Sequence, residues 1–372
     1  MPHRLKFLFI PLLVAGLAMT FFPGVIHADG ETSTGSVFAS SNTVPLLQYP
    51  EGLTSWDGKV YVATYNVVTP TDSRIFVFDA ATGRLLHTIG GKPGQELVSS
   101  NYLLGLTIDH RTGDLYVGAN GNGQILRIQH PDSDNPRISV YATYPPGGGP
   151  EDLVFYKDGT LFASDSNLGA VYAIPPGGGS IRTVIAPGNP LLTAPVEGLT
   201  PNGIVFSPDW HTLYVANTWS DDIIAFHVND EGQITDSGRI FVQNKNDDLE
   251  EYPTGFTALL LPDTKIGASA STPLNGPDGL ALDSRGDVWA GSNLGDNVTE
   301  VSPQGKIIAT YGTSAVTQGG LLNQPTSLTF VGDRIFTTNL GIFTGLAGSP
   351  HLPFTVVSFD VGVCGAAGNG NY

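Results

Sequence analysis

The sequence holds a single cysteine, Cys364, among 372 residues. An intrachain disulfide is excluded, and so is a zinc site built on paired thiolates. The chain must hold itself together by packing and strand pairing. Positive charge is also scarce: 17 Lys and Arg face 34 Asp and Glu, a formal net charge of −17. That balance argues against nucleic acid and anionic membranes as partners, and it favours cations at a concave site. No amphipathic helix of convincing length is legible. The HExxH, phosphate-loop and dinucleotide motifs are missing too. Gly267–Ser271 (GASAS) lacks the second glycine of a nucleophile elbow. The histidines beyond the N-terminus, His87, His110, His130, His211, His227 and His351, are scattered along the chain and read as surface or structural residues. Trp56, Trp210, Trp219 and Trp289 read as packing residues.

The N-terminus is the exception to the shortage of long apolar runs. His3, Arg4 and Lys6 precede an apolar stretch from Phe7 to Phe22, followed by Pro23-Gly24 and a small-residue cleavage site at Ala28. This pattern predicts a signal peptide over residues 1–28 and a secreted or periplasmic protein. Cleavage takes away Arg4 and Lys6 but no acid, so the remainder is more acidic still. No later apolar run approaches the ~18 residues of a bilayer span, so no membrane partner is expected after cleavage. Residues 29–372 are expected to form a single domain. Asn297-Val298-Thr299 is a glycosylation sequon, relevant only in a eukaryotic host.

What the sequence does have is a repeat. Six segments share a polar start, an apolar strand, a turn, and a second strand rich in Val, Tyr, Phe and Ala. They begin at Glu51, Leu104, Glu151, Asn202, Asp278 and Thr326, in steps of 53, 47, 51, 76 and 48 residues. Asp-Gly, Thr-Gly and Arg-Gly turns between apolar runs read as antiparallel hairpins. Two further strands complete each unit, as Arg74–Asp79 (RIFVFD) and Arg84–Ile89 (RLLHTI) do in the first. Four strands in roughly 50 residues, repeated six times, predict an all-β, six-bladed β-propeller. The last repeat ends on Phe354–Asp360 as its third strand. The lone strand Ser36–Ala39 is therefore expected to close the sixth blade and hide its edge. The 76-residue step carries an insertion, residues 244–274, with an acidic run at Asn246–Glu251. It reads as a solvated surface loop.

In a propeller the first strand of each blade lines the central channel. Glu51, Leu104, Glu151, Asn202, Asp278 and Thr326 should then share one narrow mouth. Carboxylates so placed raise one another's pKa unless a cation neutralises them. Oxygen ligands without His or Cys suit Ca²⁺, Mg²⁺ or Mn²⁺. The same residues also fit plain turn chemistry, because Pro50-Glu51-Gly52, Pro201-Asn202-Gly203 and Pro277-Asp278-Gly279 share a Pro-x-Gly frame. Residue chemistry alone leaves both readings open.

Pro201–Thr218, Asn229–Phe241, Gly276–Ser292 and Ser302–Gly305, in that order, resemble the senescence-marker-protein/gluconolactonase/luciferin-regenerating-enzyme family. The resemblance spans essentially the mature chain and is most specific in the fourth and fifth repeats. It implies a six-bladed propeller with a divalent cation, most often Ca²⁺, in the central channel, and hydrolysis of lactones or related esters. It also implies that Glu51, Asn202 and Asp278 hold the metal. The third repeat departs from the family, which usually opens it with Asn-Asp, whereas here the pair is Glu151-Asp152.

The expected function is therefore divalent-metal-dependent, gluconolactonase-like hydrolysis of a small-molecule lactone or ester. Asp278 or Glu151 would take the proton of the attacking water. Glu151 and Asp152 would contact the substrate. The alternative is a non-enzymatic, secreted binding module, because Ala163–Tyr172 and Ala216–Phe226 resemble NHL-type repeats.

Overall fold

The first five repeats each supply four antiparallel strands and the sixth supplies three, which an N-terminal strand completes; together they make a six-bladed β-propeller. The computed structural model describes residues 26–27, 35–66, 73–91, 97, 102–193, 200–244, 272–315, 319–342 and 352–367. Two short N-terminal strands, β1 (Ile26–His27) and β2 (Gly35–Ser40), precede the blades. Blade 1 is β3 (Pro50–Trp56), β4 (Lys59–Thr64), β5 (Ile75–Asp79) and β6 (Leu85–Ile89). Blade 2 is β7 (Leu103–Asp109), β8 (Asp114–Ala119), β9 (Gln124–Gln129) and β10 (Arg137–Thr143). Blade 3 is β11 (Pro150–Phe155), β12 (Leu161–Asp165), β13 (Ala170–Ile174) and β14 (Arg182–Ile185). Blade 4 is β15 (Ile204–Phe206), β16 (Thr212–Asn217), β17 (Asp222–His227) and β18 (Arg239–Gln243). Blade 5 is β19 (Pro277–Leu282), β20 (Val288–Ser292), β21 (Asn297–Val301) and β22 (Ile307–Tyr311). Blade 6 is β23 (Pro325–Val331), β24 (Arg334–Asn339) and β25 (Thr355–Asp360), with β2 as its outer strand.

Both faces of a blade are covered by its neighbours, which explains the near-continuous apolar runs such as RIFVFD. The core is divided into six layers, one between each pair of adjacent blades. Phe162 and Phe206 meet edge-on between blades 3 and 4, with ring centroids 4.9 Å apart. Trp289 and Phe330 do the same between blades 5 and 6 at 5.6 Å. Among the tryptophans, Trp289 is fully buried and Trp210 packs on Tyr156 and Phe206, in line with their expected packing role.

The ring closes as the sequence predicts. β2 pairs antiparallel with β25, placing Ser36 opposite Ser358 and Val37 opposite Val357. Phe38 of β2 meets Phe336 of blade 6 and Phe78 of blade 1 edge-on, at 4.9 and 5.9 Å. The closing strand thus ties the last blade to the first by packing as well as by pairing. After β25 the chain turns back to blade 5, where Ala366 N–H bonds the Leu282 carbonyl at 2.9 Å. β1 pairs with the outer edge of the same blade, Ile26 opposite Thr310. The rest of the expected signal segment lies outside the described residues, as does all but the two ends of the 244–274 insertion. Among the described residues, no helix is long and apolar enough to cross a membrane.

Candidate functional site

The mouth of the channel is built by a repeated irregularity. In five blades the inner strand carries one residue more than its neighbour: the register shifts between Pro50 and Leu53, Leu103 and Leu106, Pro150 and Leu153, Pro277 and Leu280, and Pro325 and Leu328. Such β-bulges bend a strand and re-aim its side chains. They fall on Glu51, Glu151 and Asp278, so the Pro-x-Gly frames around Glu51 and Asp278 are bulges inside strands. In blade 4 the equivalent residues precede β15, and Asn202 N–H bonds the Ala216 carbonyl at 3.0 Å.

The residue after each bulged position sits where two blades touch. A Cβ on Gly105 would lie 2.6 Å from the Glu151 carbonyl oxygen, and one on Gly279 would lie 2.7 Å from the Ser327 Cα. A Cβ on Gly203 would collide with the Asp278 carbonyl oxygen, which Gly203 N–H bonds at 3.1 Å. Glycine is needed here for close approach of two backbones. Blade 3 has Asp152 instead. Its carboxylate accepts the amide protons of Leu153 at 2.8 Å and of Ile204 at 2.9 Å, which latches blade 3 to blade 4. Asp152 also lines a central cavity of about 30 Å³, bounded by inner-strand residues of all six blades. That is room for an ion or one or two waters.

The second strands supply partners for the mouth residues. Ser166 donates to Glu151 Oε2 at 2.5 Å. Asn293 donates to Asp278 Oδ2 at 3.2 Å. Thr218 accepts from Asn202 Nδ2 at 3.1 Å and donates to the Pro277 carbonyl at 2.8 Å. Asn202 also hydrogen-bonds Asp278. Ser166, Thr218 and Asn293 were not singled out from the sequence, although their shared place at the end of a second strand is visible in the repeat. Leu104 and Thr326 begin their repeats as expected but bring no charge; Thr326 donates to the Glu51 carbonyl at 3.1 Å.

Four carboxyl groups gather at this mouth. Glu51 and Asp278 are buried, and Glu151 and Asp152 are partly so. Burial, then the charges of Asp278, Glu151 and Asp152, push Glu51 well above the usual carboxylate range. Burial raises Glu151 to about 8 against the hydrogen bond from Ser166, with Asp278, Asp152 and Asp165 adding to the rise. Asp278 is raised to about 7 by burial and by Asp152, against the hydrogen bonds from Asn202 and Asn293. Asp152 is raised to about 6 by burial, against its two backbone bonds. Among the described residues, no Arg or Lys stands out as a cause of these shifts. Glu51 Oε2 is buried with no hydrogen-bond partner among the described residues. A buried carboxylate oxygen facing other carboxylates and lacking a donor is costly. A cation relieves both problems, and the oxygen-only donors fit a hard divalent ion.

A second acidic cluster, Asp283, Asp287 and Glu300, is of a different kind. Arg285 reaches all three, at 2.9, 3.0 and 2.6 Å. Tyr311 and Trp289 donate to Glu300 and Asp283 as well. One guanidinium offsets part of its charge, and two neutral donors serve it from within the chain.

A six-bladed propeller with bulged inner strands and an acidic channel mouth is the class that fold and site define. Residues 67–337 match the SMP-30/Gluconolactonase/LRE-like region, and the chain belongs to that family. A luciferin-regenerating enzyme is similar in structure, with a TM-score of 0.61 at 14% identity over 90% of this chain and 98% of its own. The calcium-binding protein regucalcin of Agrobacterium tumefaciens gives 0.58 at 17% identity, over 89% of this chain and 95% of its own. A gluconolactonase of Xanthomonas campestris gives 0.57 at 18% identity, over 91% of this chain and 94% of its own. At these identities the likeness is one of fold. No curated protein matches the chain by sequence.

Proposed function

We propose that this protein is a divalent-metal-dependent hydrolase of a lactone or ester, with its site at the mouth of the central channel. Membership of a family that includes gluconolactonases supports a lactonase-type activity. The observation that carries the metal is the partnerless, buried Oε2 of Glu51 among carboxyls that raise one another's pKa. Glu51, Asn202 and Asp278 would hold the ion, Ca²⁺ before Mg²⁺ or Mn²⁺. When bound, it supplies Lewis-acid polarisation of the substrate carbonyl.

The chain's own residues do the rest. Asp278 would be the proton acceptor for the attacking water, through whichever carboxylate oxygen the ion leaves free. Asn293 and Asn202 hold its carboxylate in place. Ser166 fixes Glu151, which stands beside the substrate as second acid or base. Asp152 carries the substrate side of blade 3 while its backbone bonds keep it from turning away. The basic N-terminus and apolar stretch support export. Export suits a Ca²⁺ site in the range of extracellular modules, with a Kd of about 0.1–1 mM.

The test is a screen of lactones and esters with the mature protein, before and after chelation and with Ca²⁺ added back. Hydrolysis that chelation stops and Ca²⁺ restores is expected, with Asp278→Asn losing about 10²-fold or more in kcat. Cation binding with no hydrolysis of any substrate would leave only the binding-module reading.

A further inference from the structure

Among the described residues, several aromatic and leucine side chains next to the acidic mouth have been given no role. Tyr65 follows β4 directly, and Tyr102 precedes β7. Their rings stack with centroids 4.2 Å apart and planes 21° from parallel. Both are partly exposed, and the charges of Glu51 and Glu151 reach the Tyr65 hydroxyl. The stacked pair therefore stands beside the carboxyl cluster. The other blades repeat the arrangement. Trp219 follows Thr218, the partner of Asn202, and Leu294 follows Asn293, the partner of Asp278. Leu168 lies two residues beyond Ser166, the partner of Glu151. Each of these three side chains is also partly exposed.

Along the chain the order is the same in blades 3, 4 and 5: the hydrogen-bonding partner of a mouth residue is followed, within two residues, by a partly exposed apolar side chain. Aromatic and leucine side chains cost free energy when left in water and regain it when covered. An alkyl or aryl group covers these side chains without giving up hydrogen bonds to water, whereas a polyhydroxylated ring must exchange most of its own for the few that the Tyr65 and Tyr102 hydroxyls and the Trp219 indole can offer.

We infer that the rim of Tyr65, Tyr102, Leu168, Trp219 and Leu294 is a subsite for the alkyl or aryl portion of the substrate, which makes this chain selective for hydrophobic lactones or esters over sugar-acid lactones. This rests on the hydrolase reading for the nature of the ligand, but the subsite can be measured apart from catalysis. Lactams resist hydrolysis and present the same ring and carbonyl.

The experiment measures binding of 5-alkyl-2-pyrrolidinones, from methyl to hexyl, to the full mature protein with Ca²⁺, by titration calorimetry. Hydrolysis of γ-lactones of matching chain length and of glucono-δ-lactone is measured in parallel. Affinity should rise about two- to fourfold for each added methylene. Tyr65→Ala with Tyr102→Ala should flatten that rise and weaken the hexyl compound about tenfold or more, whereas Tyr102→Phe, which keeps the stacked ring, should follow the wild-type slope. A cooperative melt checks that each variant is folded. Lactam affinity independent of chain length, or a full slope in the folded double variant, overturns the subsite. Chelator-sensitive lactone hydrolysis with flat lactam binding overturns the subsite and leaves the hydrolase standing. Length-dependent lactam binding without hydrolysis of any lactone supports the subsite and overturns the hydrolase.

Discussion

The Ser166 hydroxyl lies 2.5 Å from Glu151 Oε2, a bond between the end of a second strand and the bulge of the inner strand beside it. It is the interaction that most opposes the rise of Glu151. Ser166→Ala should therefore push Glu151 above about 8, by about one unit or more, since a hydrogen bond to a charged group is worth ~1.5–3 kcal/mol. A carboxyl ¹³C titration of the chelated protein reads this directly. A Glu151 titration unmoved by the substitution would show that the bond does not hold the carboxylate.

Gly203 tests how closely the site depends on blade packing. A methyl group there meets the Asp278 carbonyl and the Gly279 Cα, the latter at 2.8 Å. Gly203→Ala should cost about 1–3 kcal/mol by overpacking and also shift the Asp278 bulge, weakening cation affinity. Chemical denaturation and a Ca²⁺ titration of the same variant check the two effects. Wild-type values for both would show that the two strands have slack.

Closure rests on β2. Phe38→Ala removes a half-buried ring from two edge-on contacts and should cost about 2–3 kcal/mol. Removing the residues before Thr43 deletes β2 and bares the edge of β25. Melting should then fall sharply and aggregation rise. An unchanged melting curve after that deletion would contradict closure by this strand.

The pH dependence of stability has a definite sign. Asp278, Glu151 and Asp152 titrate at about 7, 8 and 6 in the fold. In an unfolded chain they titrate near 4. The fold binds these protons more tightly, so stability held below about pH 4 is lost as pH rises to about 8. Ca²⁺ replaces the protons, so it should raise the melting temperature more at pH 8 than at pH 5. Thermal melts at the two pH values, with chelator and with Ca²⁺, decide it. A Ca²⁺ effect equal at both would contradict a site made of these carboxyls.

Much of this was legible in the sequence for a physical reason. Six repeats with two-faced apolar strands have few ways to bury their surface other than as blades, and Ser36–Ala39 was the one strand left to cover the edge at Phe354–Asp360. The first strand of each blade lining the channel pointed to six positions, and it was the family resemblance that singled out Glu51, Asn202 and Asp278 among them. The bulges were hidden, since Pro-x-Gly reads as a turn until pairing shows Pro50 opposite Thr64 and Leu53 opposite Val62. The Tyr65–Tyr102 stack joins residues of different blades, and no periodicity within one blade points to it. Ser166 and Asn293 look like ordinary residues of a polar turn, and only the geometry shows each holding a carboxylate.

The most direct measurement is a Ca²⁺ titration by calorimetry of the chelated protein at pH 8, beside Glu51→Gln and Asp278→Asn. Glu51→Gln keeps the shape of the side chain and removes the charge of the partnerless oxygen. The expected result is about one ion per chain in the wild type, with a Kd of about 0.1–1 mM or tighter. Either substitution should weaken binding at least about tenfold, while the variants still melt cooperatively. No binding to the wild type, or equal affinity in all three proteins, would contradict a cation held by the channel mouth.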